Sequence, residues 1–390
     1  MNARSRPTPG ALPGRASPFE LLFDLVFVFT ITQVTHVVIE EPDFLGAYKA
    51  VILLALVYCV YDGYIWLMNQ GATSSAVTRA VLLIAMAGFL IIAVAIPRAF
   101  GAGQWAFTIS FLVLMVLHHA LFLIVGSAGN VRGILRIGPF NIVAAIVLVA
   151  SGLLGESGAL WLFPLALVII LANVLTNRRG GFELGAAHLI ERHGLLMLIA
   201  FGEAIVAVGA TLSRQPLDAF SLGAATLTVA VVGGLWSTYF PSGDLARTEH
   251  GVEDRDARSR TMLAITAFYG DHLGMMVGLV LFAAGSGLSI QRSGETPLGA
   301  GLLAAVGIAI YLASQALYRV ELGLGRVAPR LVGTAAAAAV AVASFGLGPL
   351  VELALLLVVV ATVASWGPLA HATQRRRAQA AHGGSESAGP

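Results

Sequence analysis

Glu20 and Asp24 stand four residues apart in the otherwise apolar run Pro18-Phe-Glu-Leu-Leu-Phe-Asp-Leu-Val-Phe-Val-Phe29. At that spacing two carboxylates share one face of a helix. His188, Glu191 and Arg192 fall at i, i+3 and i+4 near the start of a second apolar run, again on one face. Asp62, His118, Glu203, Asp271 and His272 lie inside further apolar stretches. An acid placed in hydrocarbon costs about 2.5–3.5 kcal/mol on insertion scales, so it persists only where it faces a partner, a cavity or an ion. The acids of these runs are Glu20, Asp24, Asp62, Glu191, Glu203, Asp271 and Glu352, and the nearby bases are Arg192 and Arg319. Two fixed positive charges cannot neutralise that set. The remaining carboxyls must be protonated, hydrated, or paired with a bound cation or a protonated histidine. Acids with histidines at depth are what a proton relay or a cation path requires.

The elements that must position these groups follow from composition. Hydrophobic residues make up 57% of the 390-residue chain and charged residues 11%, with a mean hydropathy of +0.85. Soluble domains carry about 25% charged residues. A globular core cannot absorb this much apolar surface, which leaves an all-α polytopic membrane protein. Apolar runs long enough to span predict about twelve helices. Six fall near 18–39, 46–68, 77–97, 105–126, 137–155 and 158–176. Six more fall near 188–212, 219–240, 261–287, 297–320, 328–346 and 349–370. With both termini cytoplasmic, every Lys and Arg except Lys49, Arg98, Arg214 and Arg292 lies at a cytoplasmic end or loop, as the positive-inside rule requires. The Arg- and Pro-rich start lacks a short apolar core with a small-residue cleavage site, so the first span is read as its own insertion signal. Cys59 is the single cysteine and excludes an intrachain disulfide.

Short matches recur in the same order in the two halves. Gly63-Tyr-Ile-Trp66 is echoed by Gly233-Gly-Leu-Trp236, and Ala120-Leu-Phe122 by Ala316-Leu-Tyr318. Arg136-Ile-Gly-Pro139 is echoed by Arg326-Val-Ala-Pro329. The expected organisation is a disordered cytoplasmic start at 1–17, six-helix halves at 18–176 and 177–373, and a disordered cytoplasmic tail at 374–390. An even number of spans per half keeps both halves in one orientation. Their symmetry axis then lies along the membrane normal, with a cavity between them. Aligning the halves places Glu191 opposite Glu20.

Two motifs reach a known family. Pro18-Phe-Glu-Leu-Leu-Phe-Asp-Leu-Val-Phe-Val-Phe-Thr-Ile-Thr-Gln33 resembles the opening signature of the bacterial low-temperature-requirement protein A (LtrA) family. So does His188-Leu-Ile-Glu-Arg-His-Gly-Leu-Leu-Met-Leu-Ile-Ala-Phe-Gly-Glu-Ala-Ile-Val206, and His272 before Met275-Met276-Val-Gly278 also fits. The chain departs from the pattern at Gln70-Gly-Ala-Thr-Ser-Ser75, where relatives often carry a more acidic and aromatic stretch. The resemblance implies a polytopic inner-membrane protein and no settled biochemical activity; no cofactor is expected from the motifs. Phe23-Asp24-Leu-Val-Phe27-Val-Phe-Thr30 is also similar to the first-helix F-S-D-G-x-F motif of potassium channels built from six-helix repeats, with Leu25 in place of its glycine.

Three functions stay open. The polar set favours a proton- or cation-linked transporter or channel with a buried acidic and histidine cavity formed by Asp24, Glu203, Asp271, His272, Asp62 and His118. The second is a membrane-embedded enzyme using a carboxylic acid on a lipid or isoprenoid substrate. The third is a stress-related sensor or structural protein. Partners are the bilayer and a proton, cation or lipid-like substrate. The basic residues follow the spans rather than one face, so nucleic acid is not among them. Glu20, His188, Glu191 and Arg192 are expected to form an ion-pair network at the cytoplasmic rim, with Arg192 bridging Glu20 or Glu191. Asp24, Glu203 and Asp271 are expected to line one cavity. His188, Glu191 and His193 are too loosely spaced, without cysteine, to be assigned a metal. Nucleotide-binding loops, nucleophile elbows and zinc-protease motifs do not occur, which disfavours ATP-driven transport and soluble-type hydrolysis.

Overall fold

The computed structural model describes residues 17–71, 73, 75–176, 185–291 and 299–383. Twelve stretches among them are long and apolar enough to cross a membrane, and the described residues contain no β-strand. The expected segment at 1–17 lies outside the described residues except for Ser17, and the expected boundary at 176/177 falls against the segment 177–184, which also lies outside them.

The first six spans are α1 (Pro18–Glu40), α2 (Phe44–Asn69), α3 (Ala76–Ala95), α4 (Gln104–Val125), α5 (Ala128–Ser151) and α6 (Gly155–Thr176). Their starts are set by polar side chains that cap orphan amides. Ser17 and Glu20 form a reciprocal capping box on α1, while Asp43, Ser75 and Ser127 cap α2, α3 and α5. The fifth span begins at Ala128, earlier than the expected 137. Arg132 and Arg136 lower its hydropathy but are good helix formers, and the helix continues through Pro139.

The second series comprises α7 (Ala186–Leu212), α8 (Ala219–Tyr239), the short α9 (Asp244–Glu253) and α10 (Ala257–Leu263). A π-helical segment, Ala264–Asp271, joins α10 to α11 (His272–Ile290), so the ninth span is one continuous helical rod. After it come α12 (Ala300–Glu321), α13 (Val327–Ala343) and α14 (Pro349–Gly383). The basic run Arg375-Arg376-Arg377 does not end α14. Its Ala, Gln and Arg residues carry the helix to Gly383, where a disordered tail from 374 was expected. Residues 384–390 of that tail lie outside the described residues.

The perimeter is apolar. Leu83, Ile91 and Val94 on α3, Val113 and Val116 on α4 and Val358 on α14 all face outward, the inverse of a water-soluble surface and suited to lipid. The centre is held by α2 and the ninth span. Helix α1 packs on α2, α3, α7 and α11, and α2 also meets α4, α6, α7 and α11. Helices α11 and α12 approach closely through small residues. A Cβ at Gly278 would collide with the Gly307 carbonyl and the Tyr311 amide, and one at Gly307 with the Gly278 carbonyl and Phe282 amide.

Candidate functional site

Helices α1 and α7 run parallel and share two polar rungs. His188 Nε2 lies 2.9 Å from Glu20 Oε2. One turn deeper, Arg192 donates from Nη1 and Nη2 to the two oxygens of Asp24 at 2.9 and 2.6 Å. Both pairs have the same sequence offset of 168. The repeat alignment that set Glu191 against Glu20 is therefore three residues out of register with the spatial packing. It is His188 that faces Glu20, and Arg192 pairs with Asp24 rather than bridging Glu20 or Glu191. Glu191 is half-buried on the same helix.

Helix α2 supplies the groups that complete this seam. Tyr61 donates its hydroxyl to Asp24. Asn69 holds the start of α7, accepting from the Gly185 amide at 2.9 Å and lying 3.2 Å from His188 Nδ1. Asp62 Oδ1 lies 3.1 Å from His193 Nε2. His193 Nδ1 lies 2.9 Å from the Leu189 carbonyl. A carbonyl only accepts, so Nδ1 carries a hydrogen. The contact between Nε2 and Asp62 then needs one further proton, held either by the ring or by the carboxyl.

The His193 ring meets the His272 ring edge-on at 5.0 Å. His272 Nδ1 bonds the Ala267 carbonyl five residues earlier at 2.8 Å, and its Nε2 lies 2.7 Å from the Tyr239 hydroxyl. The wide π turn releases carbonyls that side chains must satisfy. His272 takes Ala267, and Tyr58 of α2 donates to Phe268 at 3.0 Å. Asp62–His193 and His272–Tyr239 are thus two hydrogen-bonded pairs that meet through an edge-on contact of the two imidazoles, a string passing from α2 through α7 and α11 to α8, buried except for half-buried Tyr239.

A cavity of about 130 Å³ opens beside this string, between α2, α4, α5, α6 and the ninth span. Asp62 and His118 both line it. His118 lies against α2 because residue 63 is glycine: a Cβ there would press on the imidazole. That approach lets Nε2 donate to the Gly63 carbonyl at 2.9 Å, while Nδ1 is buried without a partner. His119 turns away, bonding the Met115 carbonyl through Nδ1. Cys59 and Tyr269 are hydrogen-bonded to each other at the cavity wall, and Trp66 and Phe122 add aromatic faces. Trp236, Trp66's counterpart in the repeat matches, is 46% exposed on the perimeter.

None of Asp24, Glu203 and Asp271 lines the cavity beside Asp62, and Glu203 stands far from the Asp24 rung. Glu203 lies eleven residues beyond Arg192 on α7, a rise of about 16 Å at 1.5 Å per residue. It is buried with Oε1 unpartnered. Asp271 lies at the junction of the π segment and α11, with Oδ2 buried and unpartnered and Glu321 of α12 as a charged neighbour. Glu203 is thus at a different depth from Asp24, whereas the contact of His193 with His272 brings Asp271 near the level of the Arg192–Asp24 rung, on another helix. Glu352, buried on α14, crowds Gly301 at the start of α12.

Among the described residues no group of three or more His, Cys, Asp or Glu side chains is placed to hold a metal ion. Sequence patterning singled out Asp62 and His118 but not their partners. His193 entered only as an unassigned metal ligand, and Tyr61 and Tyr239 were not singled out. The signal was present in Tyr58-Cys-Val-Tyr61-Asp62 and in His193 directly after Arg192. Buried Arg330 was also left out of the charge count; it bonds Gln315 at 2.9 Å and the Thr238 carbonyl at 3.0 Å.

The sequence profile described as "Bacterial low temperature requirement A protein (LtrA)" matches residues 15–365. An uncharacterised protein of Rhizobium meliloti (strain 1021), RA0937, is 25% identical over 294 residues, covering 71% of this chain and 70% of its own. No solved structure matches the chain significantly.

Proposed function

The chain belongs to the bacterial low temperature requirement A family, and on that premise we propose that it is a proton- or cation-linked transporter or channel of the bacterial inner membrane. The observation that carries this reading is the Asp62–His193 pair. It sits at the edge of a cavity, needs one exchangeable proton, and packs edge-on against the His272–Tyr239 pair. Asp62 is neutralised either by that proton or by a cation in the cavity, so occupancy by one opposes the other. This exclusion is the minimal element of coupled exchange. An ion pair serving only to dock helices gains nothing from an adjoining cavity.

Two further features belong to the same proposal. Both termini are cytoplasmic, supported by the distribution of Lys and Arg. The chain is built from two parallel six-helix repeats. Besides the ordered motif matches, helix neighbours recur in support of this. The contacts α1–α2, α1–α3, α2–α6, α3–α4, α4–α5 and α5–α6 have counterparts in α7–α8, α7–α11, α8–α14, α11–α12, α12–α13 and α13–α14.

The test is proton movement in sealed vesicles containing the purified chain and a pH-reporting dye. A pH gradient should dissipate when a permeant potential or an opposing cation is supplied. Asp62→Asn and His193→Gln should abolish that movement while the protein still reconstitutes. Vesicles as tight as protein-free ones under a potential and with inorganic and organic cations would sink the reading. Turnover of an added lipid with no ion movement would favour the enzyme.

A further inference from the structure

We propose that the cavity beside Asp62 binds a small organic ammonium ion, an amine with a compact apolar body. This deepens the proposed function and rests on it, since it names what competes with the proton at Asp62. The argument starts from the polarity of the walls. Among the described residues lining the cavity there is no Lys or Arg, so an anion finds no counter-charge. The lining holds donors in the Trp66 indole and the Asn141 amide, and its one charged group is an acceptor. Asp62 is a carboxyl with only Oδ1 engaged by His193. His118 has spent its ring hydrogen on the Gly63 carbonyl, which leaves Nδ1 of the neutral ring an unpartnered acceptor. A buried acceptor without a donor is costly, and an occupant that donates hydrogen bonds removes that cost.

The rest of the lining decides between an inorganic and an organic cation. Hard metal ions are held by several oxygen ligands. Here Asp62 is the sole carboxylate of a predominantly apolar wall. Trp66, Phe122 and Tyr269 contribute aromatic surfaces of the kind that attract an ammonium ion. The half-buried Ile137, Leu171 and Ile265 make the remainder apolar and sit toward the perimeter. Size sets the upper bound. A dry cavity on the order of 150 Å³ takes up benzene. The 130 Å³ here suits an amine of about six heavy atoms. Such a molecule places its ammonium at Asp62 and its hydrocarbon against the wall.

Calorimetric titration of the detergent-purified full-length chain tests this. The probes are cyclopentylamine, cyclopentanol and cyclopentanecarboxylate, which share one apolar body, with protein-free micelles as the blank. The amine should bind saturably and at least tenfold more tightly than either analogue. Asp62→Asn should weaken amine binding at least tenfold. Ile137→Trp, which fills the cavity mouth without touching a charged group, should do the same should Asp62→Asn fail to fold. Equal binding of all three probes would mark a general apolar or lipid crevice and overturn the proposal. So would amine binding that survives both substitutions, or no saturable binding at all. If proton movement in vesicles is intact while the amine fails to bind, the transport reading stands and the ammonium assignment falls. If the amine binds but no ion moves, the ammonium site stands and the transport reading falls.

Discussion

Arg192 meets Asp24 at the same 168-residue offset at which His188 meets Glu20. The two rungs are one helical turn apart on both helices, so they fix the register of α1 against α7 as well as joining them. Arg192 and Asp24 are each 1% exposed. Removing one member leaves the other charge buried and unpaired, which costs about 3–5 kcal/mol. Arg192→Ala and Asp24→Ala should therefore each lower the melting temperature sharply, read by helical circular dichroism in detergent. The double substitution Asp24→Leu/Arg192→Met should be less damaging than either single change, because no orphan charge remains. Additive losses would show that the pair does not act as a unit.

The contact between α11 and α12 is a second place where a small change should be felt. Gly278 and Gly307 bring the backbones together with no space for a Cβ on either. Gly307→Val should force the helices apart and destabilise by about 1–3 kcal/mol, the usual cost of overpacking. Gly209→Val on α7, where a Cβ would meet nothing within 4 Å, is the matched control and should leave the melt nearly unchanged.

The membrane class, the twelve spans and most of their limits were legible in the sequence, because hydropathy and length are local properties. Asp62 and His118 were legible as expensive groups in apolar surroundings. What could not be read was which acid meets which base. That depends on helix register. A shift of three residues, from 171 to 168, changes the partner of Glu20 from Glu191 to His188. The bridging role expected of Arg192 failed for that reason. The π segment was also hidden, since Gly270 weakens a helix but nothing in Ala264–Asp271 distinguishes a π turn from an α turn. It becomes visible only through the side chains that satisfy its carbonyls, Tyr58 and His272.

The start of α10 should respond to pH. Asp256 caps it, accepting from the Ser259 amide at 2.8 Å. Hydrogen bonds from the Ser259 side chain and then its backbone hold the Asp256 carboxyl below its ordinary value. A carboxyl depressed in the folded state stabilises fully above its unfolded pKa, about 3.9, and the contribution is lost as pH falls through the folded value. Amide exchange across 256–263, corrected for intrinsic rates, should therefore be slow at neutral pH and accelerate below about pH 4. Asp256→Asn should keep the cap but flatten this dependence, and Asp256→Ala should fray the helix at every pH.

Orientation is open to a direct measurement. Ser242 is exposed in the turn between α8 and α9, and Glu156 is exposed at the opposite end, at the start of α6. In intact cells, an impermeant thiol reagent should label Glu156→Cys and leave Ser242→Cys untouched until the membrane is opened. The reverse pattern would invert the topology, and labelling of both from outside would break the odd number of spans, α6, α7 and α8, between them.

The decisive chemical prediction concerns the proton shared by Asp62 and His193. Because His193 Nδ1 is committed to the Leu189 carbonyl, Nε2 has only Asp62 to bond. In Asp62→Asn the amide NH₂ donates to Nε2, so the contact survives while the exchangeable proton does not. In His193→Phe the ring volume is roughly kept, but Asp62 faces an apolar edge. The two variants should separate stability from proton handling. Asp62→Asn should cost no more than about 1.5 kcal/mol, the scale of one neutral hydrogen bond. His193→Phe should cost about 3–5 kcal/mol, the scale of a broken buried pair. Proton movement in vesicles should be lost in Asp62→Asn although its melt stays close to that of the wild-type protein. If that movement persists unchanged in Asp62→Asn, another acid carries the proton, and Glu203, Asp271 and Glu352, each with a buried unpartnered oxygen, become the next sites to substitute.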